Sequence, residues 1–283
     1  MKLKKLLATV LALAMVLTVI VAIPVFADGE EYVAELYSYN RSTETTDKLT
    51  GQYTSIQELS KHVGISDEVQ ILQRIKLLKS TSEDILVEQD NSACSAGQYI
   101  AVECAEGVSW TGKLLTKSFG YHYSLLGNTG MVGKNTYILE AGSQGTGKKD
   151  DPTIIASNDM ASAIGNYNGP YYKLVTDVTT HGLNATPPSG STIDFAGHTW
   201  NTSYEIPFND NTTFMDSVGG GGFNCIYNGN IFNGGQNNWL YVDGGIYRST
   251  GYIINGTGNN TLKNGTFYGN MLINNNNNCA LRC

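Results

Sequence analysis

Leu240-Tyr-Val-Asp-Gly-Gly-Ile-Tyr247 and Thr261-Leu-Lys-Asn-Gly-Thr-Phe-Tyr268 are two copies of one pattern. Apolar residues alternate with free positions, a glycine follows, and an aromatic closes the unit three residues later. Upstream the pattern reads Ile193-Asp-Phe-Ala-Gly-His-Thr-Trp200, and in shorter form Asn228-Gly-Asn-Ile-Phe232. The glycines Gly197, Gly229, Gly244 and Gly265 are spaced by 32, 15 and 21 residues, one or two turns of a coil per step. Repeats of this size, built from strands without helices, specify a β-solenoid. No single coil can bury its own apolar side, so the coils must stack and share one core.

Around these units the chain after Gly190 alternates short β segments with Gly/Asn turns. The expected strands are 192–195, 213–215, 223–227, 239–242, 252–254, 266–268 and 271–273. Asn228-Gly, Asp243-Gly and Asn264-Gly read as corners, because Asn and Gly tolerate the left-handed backbone of a sharp turn. With the four glycines in register, Trp200, Phe232, Tyr247 and Tyr268 form one row along the axis. Thr199, Ile231, Ile246 and Phe267 form the row beside it. Neighbouring strand residues face opposite ways, so only one row points inward. The β-branched row suits the crowded interior, which places the aromatic row outside.

Two helices are expected ahead of the coils. Ser55-Ile-Gln-Glu58 is a capping box, with Ile56, Leu59 and Val63 on one face and Gly64 as the stop. Ser157 opens a shorter helix with Met160 and Ile164 inward. Lys-Leu-(Leu/Val) follows each helix, at 76–78 and 173–175, suggesting two divergent copies of a helix-then-strand unit. An amphipathic helix there would cover an open sheet edge. Residues 142–151, rich in glycine, read as a connector.

The first 27 residues read as a signal peptide: Lys2, Lys4 and Lys5, a charge-free run from Leu6 to Ile23, then Val25-Phe-Ala27 before Asp28. The alternative is an uncleaved anchor, since the run is long enough to span a bilayer. Cleavage removes three lysines and takes the net charge from −7 to −10. An acidic chain without Lys/Arg clusters argues against a nucleic-acid partner. The organisation expected is a signal peptide over 1–27, an N-terminal region with a helix–strand cap over 28–141, and a parallel β-helix over 142–283 without a C-terminal cap. The Asn274–Asn278 run reads equally as an axial ladder or as a low-complexity linker. Cys94 with Cys104, or Cys279 with Cys283, could pair, while Cys225 suits an apolar core position. No histidine or cysteine spacing indicates a metal site.

The capped helix, Tyr171-Tyr-Lys-Leu-Val-Thr-Asp177, Ile193-Asp-Phe-Ala-Gly-His198 and the Asn-Gly coils together resemble secreted bacterial right-handed parallel β-helix proteins of the pectin-lyase-like superfamily. Gly145-Thr-Gly-Lys-Lys-Asp-Asp-Pro-Thr-Ile-Ile155 resembles the opening of such repeats in bacterial surface proteins. The resemblance implies an all-β, right-handed parallel β-helix, but this fold hosts enzymes and adhesins alike.

The leading functional expectation is a secreted or cell-surface module that contacts an extracellular glycan or cell-wall polysaccharide without catalysis or cofactor. Its candidate contact residues are Trp200, Trp239, Tyr241, Tyr247, Tyr252 and Tyr268, since aromatic faces stack on sugar rings. The alternative is a polysaccharide lyase or glycoside hydrolase for acidic glycans. A lyase would need Ca2+ held by carboxylates and a nearby basic side chain; Asp243, Arg248 and Lys263 are the candidates. Against this, Asp243 also reads as a corner residue and the two cations as solvated ones. A polygalacturonase-like hydrolase site would need Asn-Thr-Asp, Asp-Asp, Gly-His-Gly and Arg-Ile-Lys in that order. Here Arg74-Ile-Lys76 precedes Asp150-Asp151, Gly197-His198 leads into Thr199, and Asn-Thr-Asp is missing.

Overall fold

A computed structural model describes residues 31–40, 45–64, 71–88, 99–128, 135–167, 169–181, 185–204, 206–207, 211–225, 231–234, 239–256 and 260–273. The signal-peptide segment, Asn228-Gly229, the Asn274–Asn278 run, Cys94, Cys279 and Cys283 lie outside these residues. The fold is an all-β solenoid of about 7 turns with two short helices.

In chain order the N-terminal part holds β1 (Ala34–Asn40), β2 (Thr45–Tyr53), α1 (Ile56–Ser60), β3 (Ile71–Leu77), β4 (Ile85–Val87), β5 (Tyr99–Cys104), β6 (Leu114–Thr116), β7 (Tyr121–Asn128) and β8 (Asn135–Ala141). One mixed sheet has the order β2-β1-β3-β5-β8-β7. Within it β3 runs parallel to β5, and β4 runs parallel to β6 in a separate pair. Stacked rungs are thus present before residue 142. Leu86 and Leu115 on β4 and β6 join the same apolar core as the later coils.

The coils proper contain β9 (Thr153–Ile155), α2 (Asn158–Ser162), β10 (Tyr171–Leu174), β11 (Val178–Thr180), β12 (Thr192–Asp194), β13 (Thr199–Thr202), β14 (Ile206–Pro207), β15 (Thr212–Met215), β16 (Gly222–Cys225), β17 (Phe232–Gly234), β18 (Leu240–Asp243), β19 (Ile246–Gly256), β20 (Asn260–Lys263) and β21 (Thr266–Ile273). Every pairing among these strands is parallel. They form a first face β9-β10-β12-β15-β18-β20 and a second face β11-β13-β16-β19, to which β21 is added through β19. The far end of β19, together with β17 and β14, makes a third.

Both helices form where expected but end earlier, α1 before Val63 and Gly64, and α2 before Ile164, which opens a separate 3-10 turn. Ser55 Oγ accepts from Glu58 N and Ser157 Oγ from Met160 N, and Ile56, Leu59, Met160 and Ile164 are buried. Only α1 precedes all the coils. The second helix sits between β9 and β10 and packs beside β11, with Asn158 Oδ1 accepting from Thr179 N. It occupies the place of a missing strand and covers the first edge of the second face. In the same way α1 lies against β4, whose Leu86 N donates to Ser60 Oγ.

The core carries one correction. Trp200, Phe223 and Tyr247 are neighbours across β13, β16 and β19, and Phe267 continues the row on β21. Trp200, Phe223 and Tyr247 are fully buried, and Tyr247 stacks on Phe267 at 5.1 Å. The aromatic row therefore faces inward, not outward. Phe232 belongs to the third face, beside Ile206 and Ile254, and is buried there. Tyr268 leaves the row altogether, pairs with Arg248 and is 54% exposed.

The corners explain Tyr268. Asp243 pairs with Lys263 and Ile246 with Thr266, so Gly265 matches Gly245 rather than Gly244. Asn264, at φ 56°, takes the left-handed place that Gly244 holds at φ 86°. Aligning Gly265 with Gly244 shifts the last coil by one residue, and a one-residue shift exchanges its faces.

Candidate functional site

On the first face, β18 alternates buried and exposed residues. Leu240 and Val242 point into the core; Tyr241 and Asp243 point out. Trp239, immediately before the strand, has the same parity and is exposed, and its carbonyl accepts from Thr212 N. Residues two apart on a strand are about 6.6 Å from one another. Trp239, Tyr241 and Asp243 thus make a strip across the solenoid. Thr213 and Thr261 flank Tyr241 on the neighbouring strands, while Met215 and Lys263 flank Asp243.

The strip ends in a surface charge pair. Asp243 Oδ2 lies 3.6 Å from Lys263 Nζ, and its Oδ1 accepts from Asn264 Nδ2 at 2.8 Å. Both charges are exposed to water, which makes the pair a weak contributor to stability but a ready donor and acceptor for a ligand.

The structure divides the candidate residues. Trp239 and Tyr241 come together at the start of β18, the first just before the strand; Trp200 and Tyr247 are core and cannot reach a ligand. Tyr268 lies on the second face under the Arg248 guanidinium, 5.0 Å from the ring centre. Tyr252 is exposed further along β19, where its carbonyl accepts from Ile231 N. Among the lyase candidates, Asp243 and Lys263 are paired, but Arg248 belongs to the other sheet, across the Gly244-Gly245 corner. Among the described residues, no three His, Cys, Asp or Glu side chains converge to hold a metal ion.

Other carboxylates have a structural use that the one-dimensional pattern does not reveal. Asp216 accepts from Gly197 N in the preceding coil and from Gly221 N in its own corner, both at 2.8 Å. Asp194 accepts from Ser217 N at 2.9 Å and from Ser217 Oγ at 2.6 Å in the following coil. Asp177 accepts from Thr199 N at 2.8 Å and lies 3.6 Å from His198 Nδ1. These residues staple coil to coil, each capping amides that a turn leaves unpaired. His122 lies on β7, and its Nε2 is 3.1 Å from Ser124 Oγ. His181 Nδ1 is 2.9 Å from Ser203 Oγ, and His62 is 3.5 Å from Glu58. On the second face Asn224 Nδ2 donates to Asn201 Oδ1, a two-rung amide ladder. Cys225 is buried as expected, and Cys104 carries a free thiol.

Comparison with protein-family models, with curated proteins and with solved structures found no match to this chain.

Proposed function

We propose that this chain is a secreted or cell-surface β-solenoid of the pectin-lyase-like kind that binds an extracellular carbohydrate without catalysis, through the outward strip of β18. The observation that supports the reading is Trp239, just before β18, and Tyr241 on it, two residues apart and 42% and 37% exposed, with Asp243 and Lys263 next to them. Extended backbone sets these two residues about 6.6 Å apart on the same side, and exposed aromatic faces are suited to lie against pyranose rings. The threonine hydroxyls and the charge pair supply hydrogen bonds at the rim. The lysine-led apolar N-terminus and the absence of Lys/Arg clusters agree with an extracellular role away from nucleic acid.

The test is a glycan array and polysaccharide pull-down with the protein lacking residues 1–27, repeated with Trp239→Ala and Tyr241→Ala. Binding that falls at least tenfold in each variant supports the strip. No binding by the unaltered protein, or binding indifferent to both substitutions, refutes it.

A further inference from the structure

A cleft of about 460 Å³ opens between the mixed sheet and the first coil, away from β18. Its size falls in the range of about 300–1,000 Å³ typical of small-molecule sites, and the seam between two structural units is a common place for one. One wall is the sheet: Tyr123 and Leu125 on β7, with Tyr137 opposite Leu125 on β8. Both tyrosines are half-buried, whereas Leu125 is 57% exposed, an apolar side chain that a ligand would cover. The other wall is β6 and β9, where Leu114, Leu115 and Ile154 are already buried in the core and leave little apolar surface to a ligand.

Polar groups also line it: Lys113, His122, Ser143, Gln144, Thr146 and Asp151. Lys113 Nζ meets Asp151 Oδ1 at 2.7 Å, and Asp151 Oδ2 accepts from Thr146 N at 3.0 Å. The lysine holds the Asp151 carboxyl below the usual carboxylate range. His122, also on the lining, has its Nε2 on Ser124 while its buried Nδ1 has no partner. A donor and an acceptor of opposite charge cancel, so the cleft offers directional hydrogen bonds without a net charge. That arrangement disfavours a phosphate or an amine, each of which needs an uncompensated counter-charge. It fits a neutral ring with an apolar face and several hydroxyls, lying against tyrosine.

The geometry points to a second carbohydrate site: this cleft takes a neutral mono- or disaccharide, such as the end of a glycan chain, with its ring against Tyr123, Leu125 and Tyr137 and its hydroxyls on Lys113 and Asp151. The ligand class rests on the carbohydrate reading above; the place does not, because no residue is shared with the β18 strip.

The test is saturation-transfer NMR and calorimetric titration of the full chain with maltose, cellobiose, lactose and chitobiose. The same titrations are run on Leu125→Trp, which fills the cleft from an exposed position, on Asp151→Asn, and on Trp239→Ala/Tyr241→Ala. At least one disaccharide should bind, and Leu125→Trp and Asp151→Asn should each weaken it at least tenfold. The β18 double variant should bind it as the unaltered protein does. Unchanged melting of Leu125→Trp shows that lost binding reflects a filled cleft. Failure of all four disaccharides to bind, or binding unmoved by Leu125→Trp, overturns the cleft proposal while leaving polysaccharide capture by β18 as a separate result. Disaccharide binding lost only in the β18 variant overturns it too, and assigns the sugar to the strip.

Discussion

Replacing Tyr247 by Phe removes a single oxygen from the middle of the solenoid. The ring is fully buried, stacked on Phe267 at 5.1 Å and 5.7 Å from Phe232, so the packing survives the change. Its Oη is buried with no hydrogen-bond partner. A buried hydroxyl left unsatisfied costs about 1–3 kcal/mol, so Tyr247→Phe should raise stability at neutral pH by about 1 kcal/mol. Tyr247→Ala, which leaves a cavity, should instead cost about 3–5 kcal/mol.

The pH dependence gives an independent check. Burial, with Asp216 and Asp243 nearby, pushes the Tyr247 hydroxyl well above the usual tyrosine range. The unfolded chain ionises its tyrosines near pH 10. Above that pH the folded state holds a proton that the unfolded state has lost. The stability from this neutral group is therefore complete below about pH 10 and declines as pH rises, by up to about 1.4 kcal/mol per pH unit. Tyr53, Tyr137, Tyr167 and Tyr172 are raised by burial and act in the same direction. Urea unfolding followed by tryptophan fluorescence between pH 7 and 11.5 measures both effects. Tyr247→Phe should show the shallower alkaline decline. Equal slopes, or a variant less stable by more than about 1 kcal/mol at pH 7, would refute the reasoning.

Phe223→Ala should cost about 3–5 kcal/mol in denaturant unfolding, because Phe223 is fully buried and in ring contact with Phe195, Phe214, Trp200 and Phe232; a cost under about 1 kcal/mol would contradict that placement. Asp216→Ala removes the shared acceptor of two backbone amides and should cost about 2–4 kcal/mol, whereas Asp216→Asn should retain part of it through its remaining oxygen. Gly222→Ala should destabilise the protein, since a Cβ there would collide with the Ile246 carbonyl oxygen at φ 152°; a lowered melting temperature checks this, and an unchanged one contradicts it. Trp239→Ala and Tyr241→Ala should leave unfolding within about 0.5 kcal/mol of the parent, so any loss of glycan binding reports the surface and not the fold.

Much of the architecture is legible along the chain. The Ser55 and Ser157 caps, the buried faces of both helices and the alternation of β18 follow from local rules that need no partner. Trp200 and Tyr247 show where local rules stop. Alternation says that an aromatic and its neighbour face opposite ways, but not which of them faces in. The β-branched preference pointed one way, whereas filling a wide solenoid interior favours large rings, which stack there from Trp200 to Phe267. Trp239 and Tyr241 are two residues apart, so strand alternation alone gives them one side, and the structure supplied its outward sense.

The sequence by itself determined that the chain coils: repeated alternation ending in Gly or Asn cannot bury its apolar side except by stacking, whatever the details. It also determined where helices start and that Cys225 is core. Only the tertiary structure decided the register between coils, because the corners differ in length. Asp194 to Thr199, Met215 to Gly222 and Asp243 to Ile246 bridge the same two faces with different numbers of residues. Inter-coil pairing and core filling fix that register together, and both are long-range. The same long-range pairing set α2 against the edge of β11, turned Asp194 and Asp216 into staples, and opened the cleft beside β7. None of these follows from neighbours in the chain, since each joins residues about 20 or more positions apart whose meeting depends on how many residues every corner spends.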